Sequence, residues 1–333
     1  MMAWPHRGTD WAEQLDTVLP AFEGIAHQIL HHQNLIVTSE DIFQVQDLQR
    51  HLDAYCRQYQ LATRALVIPA PSNDTWARDF GPLTVSDGTE YKLLNFQFNG
   101  WGGKYDYEKD NFIINHLRKG RAFGALKRQR VEYVLEGGAI DTDGEGTLLI
   151  TSQCLLDPNR NGPCERGDVE AVLAEHLGIE RFLWLDHGHL SGDDTDGHVD
   201  TLARFCARDT IAYQGCDNPA DSHYPAFSAM AEQLRGFRQA NGEPYQLVEL
   251  PWPDSVHDEA GARLPATYAN FLIINGAVLV PQYGVSQDEK ALELLGQCFP
   301  ERTIHGLNCR PLISQGGSLH CLTMQLPPGV WQP

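Results

Sequence analysis

The feature that most restricts the fold of this 333-residue chain is a recurring order of elements: two short strands, a helix, and another strand. Apolar periodicity places one copy at 83–85, 91–96, 107–117 and 131–136, and a second at 139–142, 147–151, 166–176 and 181–185. A third falls at 198–205, 209–213, 222–236 and 245–250, and a fourth at 270–274, 277–281, 286–298 and 302–306. The fifth opens at 319–324 and runs out of chain. Near the start, strand 35–37, a helix from about residue 40 to 59 and strand 65–68 supply what the fifth copy lacks, so the two ends can close a ring. The expected fold is therefore α/β: one domain over 1–333, built from five ββαβ modules in a propeller-like ring. An open α/β sheet would show the same alternation of elements, and the repeat favours the ring. Ahead of the modules, Trp11, Leu15, Val18, Phe22, Ile25 and Ile29 recur at helical spacing, with Pro20 expected to kink that helix or restart it.

Polar residues beside glycines collect where modules begin. They are Trp76-Ala77-Arg78-Asp79-Phe80-Gly81-Pro82, Glu136-Gly137-Gly138, Asp196-Gly197-His198-Val199-Asp200 and Gly316-Gly317-Ser318-Leu319-His320-Cys321. Modules set around an axis would bring these four segments together on it. Only the fourth module start, Tyr268-Ala269-Asn270, lacks a charged group.

His198 and Asp200 are two apart, which on a strand turns both side chains to one face, as a general acid/base and its charge partner require. A hydrogen-bonded turn at a loop edge is the alternative. Asp79 precedes Phe80-Gly81-Pro82, where a turn would fix its carboxylate. Trp76 is either a core aromatic or a ring on which a planar cation can stack. Cys321 follows a Gly-Gly pair that lets the backbone approach a ligand closely. A free thiol with pKa near 8.5 is mostly protonated at neutral pH, so a nucleophilic Cys321 needs a cation beside it, from His198 or from the substrate.

Composition narrows the partner. A formal charge of −19 excludes a binder of phosphate backbones and suits a small cation. The acidic run Asp193-Asp194-Thr195-Asp196 leads into His198, so Asp193 and Asp194 are placed to meet the far end of a cationic substrate at the rim of the site. That run lacks the twelve-residue spacing and final Glu of a calcium loop, and His187 and His189 read as loop histidines, so no metal is expected. Gly100-Trp101-Gly102-Gly103-Lys104 lacks a P-loop ending and reads as a substrate-facing or lid loop carrying Trp101. Eight cysteines without a C-x2-C pair imply neither a zinc ribbon nor a disulfide framework, and most should be reduced, buried and inert. With 42% hydrophobic residues and no apolar run of about 18, a cytoplasmic protein with no membrane contact is expected. The opening Met1-Met2-Ala3-Trp4-Pro5-His6-Arg7 also lacks the apolar stretch of a leader. A homodimer remains open.

Taken together, and joined by Phe98-Asn99-Gly100-Trp101, Asn275-Gly276 and Val280-Pro281-Gln282-Tyr283-Gly284, these segments resemble the agmatine deiminase branch of the peptidylarginine deiminase superfamily over nearly the whole chain. The resemblance implies the pentein fold, a five-module α/β propeller with pseudo-fivefold symmetry and its active site on the central axis. It implies that Asp79 and Asp200 grip a guanidinium, that His198 is the acid/base, that Glu136 is an active-site carboxylate and that Cys321 is the nucleophile. No cofactor is implied. The segment Gln315-Gly316-Gly317-Ser318-Leu319-His320 departs from the three glycines followed by Asn-Ile of many agmatine deiminases, and the chain is short for that branch. An arginine or peptidylarginine deiminase, an amidinotransferase and a non-catalytic guanidinium-binding protein share the same constellation. Free arginine would need a basic partner for its carboxylate, and near the motifs only Arg78 and Lys104 are basic, which favours agmatine with its distal amine.

Overall fold

The computed structural model describes residues 1–40 and 42–331. They fall into two compact units: residues 1–137, 273–277 and the chain from His320 on form the first, and 138–272 with 278–319 form the second.

In the first unit, β1 (Met2–Ala3) is followed by α1 (Leu15–His32), β2 (Leu35–Ser39), α2 (Ile42–Gln58) and β3 (Ala65–Pro69). β1 runs parallel to β2, and β2 parallel to β3. Helix α1 buries Val18, Phe22, Ile25 and Ile29 at the anticipated spacing, yet it is one helix and is neither split nor restarted at Pro20. Pro20 lies in the second turn, where its missing N–H removes only the bond toward Asp16, and the buried face spans both sides of it. Helix α2 buries Val45, Leu48, Leu52 and Cys56. The anticipated helix start near 40–41 includes residue 41, which lies outside the described residues.

The C-terminal segment joins this sheet by less than expected. In place of a strand over 319–324, Thr323 makes a single antiparallel bridge to Met2, and the Met324 N–H donates to the Met1 carbonyl at 3.0 Å. The partner strand is only two residues long and is followed by Trp4 and Pro5, the latter with no N–H to extend a ladder.

The first unit also holds β4 (Leu83–Ser86), β5 (Tyr91–Gln97), α3 (Glu108–Lys119) and β6 (Lys127–Val134), with β4 antiparallel and β6 parallel to β5. Strand β6 starts four residues before the expected 131 and ends two before 136. Its polar Lys127-Arg128-Gln129-Arg130 start is tolerated because β6 is an edge strand with exposed side chains, and its end leaves Glu136 outside the ladder.

The second unit repeats the order with β7 (Ile140–Thr142), β8 (Thr147–Thr151), α4 (Arg166–Leu177) and β9 (Arg181–Leu185). It does so again with β10 (Ala203–Ala207), β11 (Thr210–Gln214), α5 (Tyr224–Gly236) and β12 (Gln246–Leu250). Each first pair is antiparallel and each helix crossover returns a parallel strand. Helix α4 starts in a capping box of Glu165 and Asp168 and stops at left-handed Gly178. Strand β8 is buried along its whole length, as its Thr-Leu-Leu-Ile-Thr sequence requires of a central strand. Leu149, Val199, Phe205, Phe227, Met230 and Trp252 belong to one buried cluster. The chain continues through β13 (Leu272–Ile274), β14 (Ala277–Gln282), α6 (Asp288–Cys298) and β15 (Thr303–Asn308). The described residues thus carry five three-stranded sheets, each with its strands in sequence order. No helix among them is long and apolar enough to cross a membrane.

Candidate active site

In the first unit three of the glycine-flanked segments meet. Asp79 sits in the single helical turn Ala77–Phe80, closed by a bond from the Gly81 N–H to the Ala77 carbonyl at 2.9 Å. The Arg78 N–H donates to the Cys321 carbonyl at 3.1 Å, which ties that turn to the Cys321 segment. Gly137 packs so closely on Arg78 that a Cβ at 137 would lie 2.2 Å from the Arg78 carbonyl oxygen. Asp79, Glu136 and Cys321 are therefore all buried and all adjacent to these contacts.

The 100–103 loop is built around Asp79. Gly100, Trp101, Gly102 and Gly103 all take positive φ, and the bonds from Gly103 N to Asn99 O (2.8 Å) and from Lys104 N to Gly100 O (2.9 Å) close a left-handed turn. Glycine adopts this backbone freely, whereas Trp101 at φ 55°, ψ 48° does not. Its indole explains the exception: Nε1 donates to Asp79 Oδ2 at 3.0 Å while the ring stands edge-on to Phe98 and Tyr105. Trp101 holds the carboxylate and is buried. Trp76 is buried too, its ring 5.7 Å from that of Trp11.

In the second unit His198 and Asp200 are fully buried, but they do not lie on a strand as the two-residue spacing suggested. Val199–Thr201 is a tight 3-10 turn, and β10 begins only at Ala203. The local hydroxyls outcompete a ladder here: the His198 N–H donates to Thr195 Oγ1 at 3.0 Å, and Thr201 Oγ1 donates to the His198 carbonyl at 2.8 Å. Asn270 Nδ2 then donates to the Asp200 carbonyl at 3.2 Å, and Thr267 Oγ1 to that of Thr201 at 2.7 Å. The module start without a charge thus serves to hold the neighbouring one.

The acidic segment is also in the second unit. Asp193 Oδ1 accepts from Thr195 N (3.0 Å) and Thr195 Oγ1 (2.6 Å), and its Oδ2 accepts from Gly197 N (2.8 Å). Asp196 is paired with buried Arg160 at 2.9 Å, and Arg160 also binds Asp157 at 2.7 Å. Asp194 is the exposed member, and its Oδ2 would lie 3.8 Å from a Cβ at Gly316. His187 and His189 are exposed loop residues.

All eight cysteines are free thiols. Burial pushes the Cys309 thiol up to about 12 and raises that of Cys216, and a hydrogen bond to Cys298 together with burial raises that of Cys206, which makes these three poor nucleophiles. The residues the sequence did not single out are Asn270, Thr267, Arg160 and the guanidinium of Arg78. Each acts through contacts distant in sequence, so no local motif marks it.

The profile of the Porphyromonas-type peptidyl-arginine deiminase family matches residues 1–327. The agmatine deiminase of Stutzerimonas stutzeri is 32% identical, the match covering 98% of this chain and 92% of that protein. A Porphyromonas gingivalis structure provisionally named an arginine deiminase is similar at TM-score 0.90 and 46% identity, covering 99% of this chain and 96% of that one. A cysteine-to-serine variant of C. jejuni agmatine deiminase with substrate bound gives TM-score 0.85 and 35% identity over 97% of this chain and 91% of that one. The α/β fold is that of the agmatine deiminase structures. Matched over nearly its full length in both sequence and structure, the chain belongs to the Porphyromonas-type peptidyl-arginine deiminase family.

Proposed function

We propose that this chain hydrolyses agmatine to N-carbamoylputrescine and ammonia through a covalent adduct on Cys321. The observation that carries the reading is a buried Asp79 carboxylate, held by the Trp101 indole on a turn bonded to the Cys321 segment, in a chain that matches agmatine deiminases from end to end. We further propose that the five sheets surround one axis as the ring of a single domain over 1–333, with Asp79, Glu136, His198, Asp200 and Cys321 facing it.

The chemistry follows from those groups. Asp79 and Asp200 bind the planar guanidinium through paired charged hydrogen bonds, which hold its central carbon in place and keep it cationic. The Cys321 thiolate forms the carbon–sulfur bond, His198 gives its proton to the departing nitrogen, and ammonia leaves. Water then attacks the thiouronium carbon with one proton passing to His198, and as the hydroxyl so formed gives its remaining proton to solvent and becomes the ureido carbonyl, the carbon–sulfur bond breaks to return the thiolate. Glu136 stabilises the cation from the remaining side. Each step uses protein groups and the charge of the substrate, so the scheme includes no metal or cofactor. Asp193 and Asp194, in the acidic segment that leads into His198, receive the distal amine of the substrate. Trp101 acts by orienting Asp79, and the core position of Trp76 leaves at most one face of its ring for the substrate. The cytoplasm is the compartment this reading fits.

A second reading, arginine or peptidyl-arginine as substrate, is favoured by the 46% identity to the Porphyromonas gingivalis protein. Ammonia release from agmatine, arginine and a blocked arginyl peptide, measured side by side, decides between them. A kcat/KM for agmatine no higher than for the other two would overturn the agmatine assignment.

A further inference from the structure

Arg78 stands one residue before the proposed guanidinium carboxylate, and its side chain reaches the segment that carries Cys321. It is buried, at 7% exposure. Its backbone N–H binds the Cys321 carbonyl at 3.1 Å, its Nε reaches the His320 carbonyl at 3.5 Å, and its Nη1 meets the Met324 sulfur at 3.6 Å. Nη2 binds Gln325 Oε1, and the Gln325 amide passes the tie on to the Ile273 carbonyl at 3.2 Å. Among the described residues, the segment it grips joins a ladder at a single bridge, Thr323 to Met2.

We propose that Arg78 is the positioning residue of the nucleophile: its guanidinium fixes residues 320–325 and sets a positive charge beside the Cys321 thiol. The inference rests on the reading of Cys321 as nucleophile. A planar guanidinium suits the task because it can reach a carbonyl, a thioether and an amide oxygen at once from one rigid fork, which an ammonium cannot. A nearby cation favours the thiolate form of a cysteine. The Gly137 contact completes the arrangement: with no Cβ, residue 137 lets the Glu136 segment close directly onto the Arg78 carbonyl, so the carboxylate at 136 and the thiol at 321 are both registered against one residue.

The test needs no substrate for its main readout. Iodoacetamide labelling of Cys321, read by peptide mass spectrometry so that the other cysteines are resolved, is followed against pH in wild type, Arg78→Gln and Arg78→Lys. Arg78→Gln should move the labelling midpoint upward and lower kcat for ammonia release by at least about tenfold, with KM within about threefold. Arg78→Lys should keep the midpoint near wild type and still lose rate, because the charge remains and the fork does not. Should Arg78→Gln fail to fold, Gln325→Ala removes one acceptor while leaving the charge, and it should lower kcat without moving the midpoint. An unmoved midpoint and kcat in folded Arg78→Gln overturns the proposal, as does a wild-type kcat in Gln325→Ala. If the wild-type chain releases ammonia from no guanidino compound, the deiminase reading fails, and the labelling shift still decides the role of Arg78.

Discussion

Trp101→Phe removes the hydrogen bond that the indole makes at the candidate site while keeping an aromatic ring. The phenyl ring fills part of the indole's place beside Phe98 and Tyr105, whose centroids lie 5.0 and 5.5 Å from the indole, and it has no N–H to replace the one that donates to Asp79 Oδ2 at 3.0 Å. Phenylalanine bears the same left-handed backbone cost as tryptophan, about 1–2 kcal/mol, so that contribution cancels in the comparison. A hydrogen bond to a charged acceptor contributes about 1.5–3 kcal/mol, and both partners here are buried, so water does not replace the lost donor. At about 1.4 kcal/mol per decade, kcat/KM for agmatine should fall roughly 10- to 150-fold. Steady-state ammonia release is the assay, with circular dichroism and thermal unfolding to confirm an intact fold. Trp101→Gly serves as the control: it relieves the backbone strain yet loses the same donor, so its kcat/KM should be no better than that of Trp101→Phe. A folded Trp101→Phe within about threefold of wild type would refute the idea that this bond fixes the carboxylate for the guanidinium.

Cys321→Ala should abolish turnover with the fold intact, and ammonia release near wild type would remove the covalent route. Asp79→Asn and Asp200→Asn should each cost on the order of 3–5 kcal/mol by removing a charged partner from a buried cation, and calorimetric titration of agmatine into the Cys321→Ala background would expose an unaltered affinity that sinks the clamp. Burial pushes the Asp74 carboxyl up to about 7, above its unfolded value, so its contribution to stability is full in acid and is lost as pH rises toward and past 7. Asp74→Asn should therefore gain stability over wild type between pH 4.5 and 8 by about 2–4 kcal/mol in urea melts, and an equal difference at both pH values would contradict it. Asp193→Asn should lower the unfolding midpoint, because Asp193 accepts three bonds inside its loop, and Asp194→Asn should reduce the preference for agmatine over arginine; an unchanged ratio of kcat/KM in Asp194→Asn would remove that residue from the distal site.

Helices and central strands were legible because their burial is periodic along the chain. Helix α2 buries every third or fourth residue, and β8 carries the apolar run Leu148-Leu149-Ile150 between two threonines, so local patterning suffices for each. The errors fall where another part of the molecule supplies the deciding partner. The first four residues of β6 look like a charged loop and become strand because β5 offers them a ladder. Residues 319–324 look like a strand, and among the described residues they join a ladder through the Thr323 bridge alone, because β1 is too short to receive more of them. At 198–201 the alternation of apolar and polar residues has strand period, and the hydroxyls of Thr195 and Thr201 claim the backbone first.

The same distinction separates the chemistry of the site from its support. Asp79, Glu136, His198, Asp200 and Cys321 stand beside glycines at repeated positions, and a repeat is a signal that sequence can carry. What holds them is not repeated. Asp79 depends on an indole 22 residues away, the Asp200 segment on Asn270 at a distance of 70 residues, and the Cys321 segment on a guanidinium 242 residues earlier. The acidic run 193–196 also depends on partners that its own sequence does not show: Arg160, lying outside that motif, neutralises Asp196, and the loop backbone engages Asp193. A carboxylate's availability to a substrate is fixed by what else donates to it, so the local density of Asp counts less than the donors that the fold brings within 3 Å.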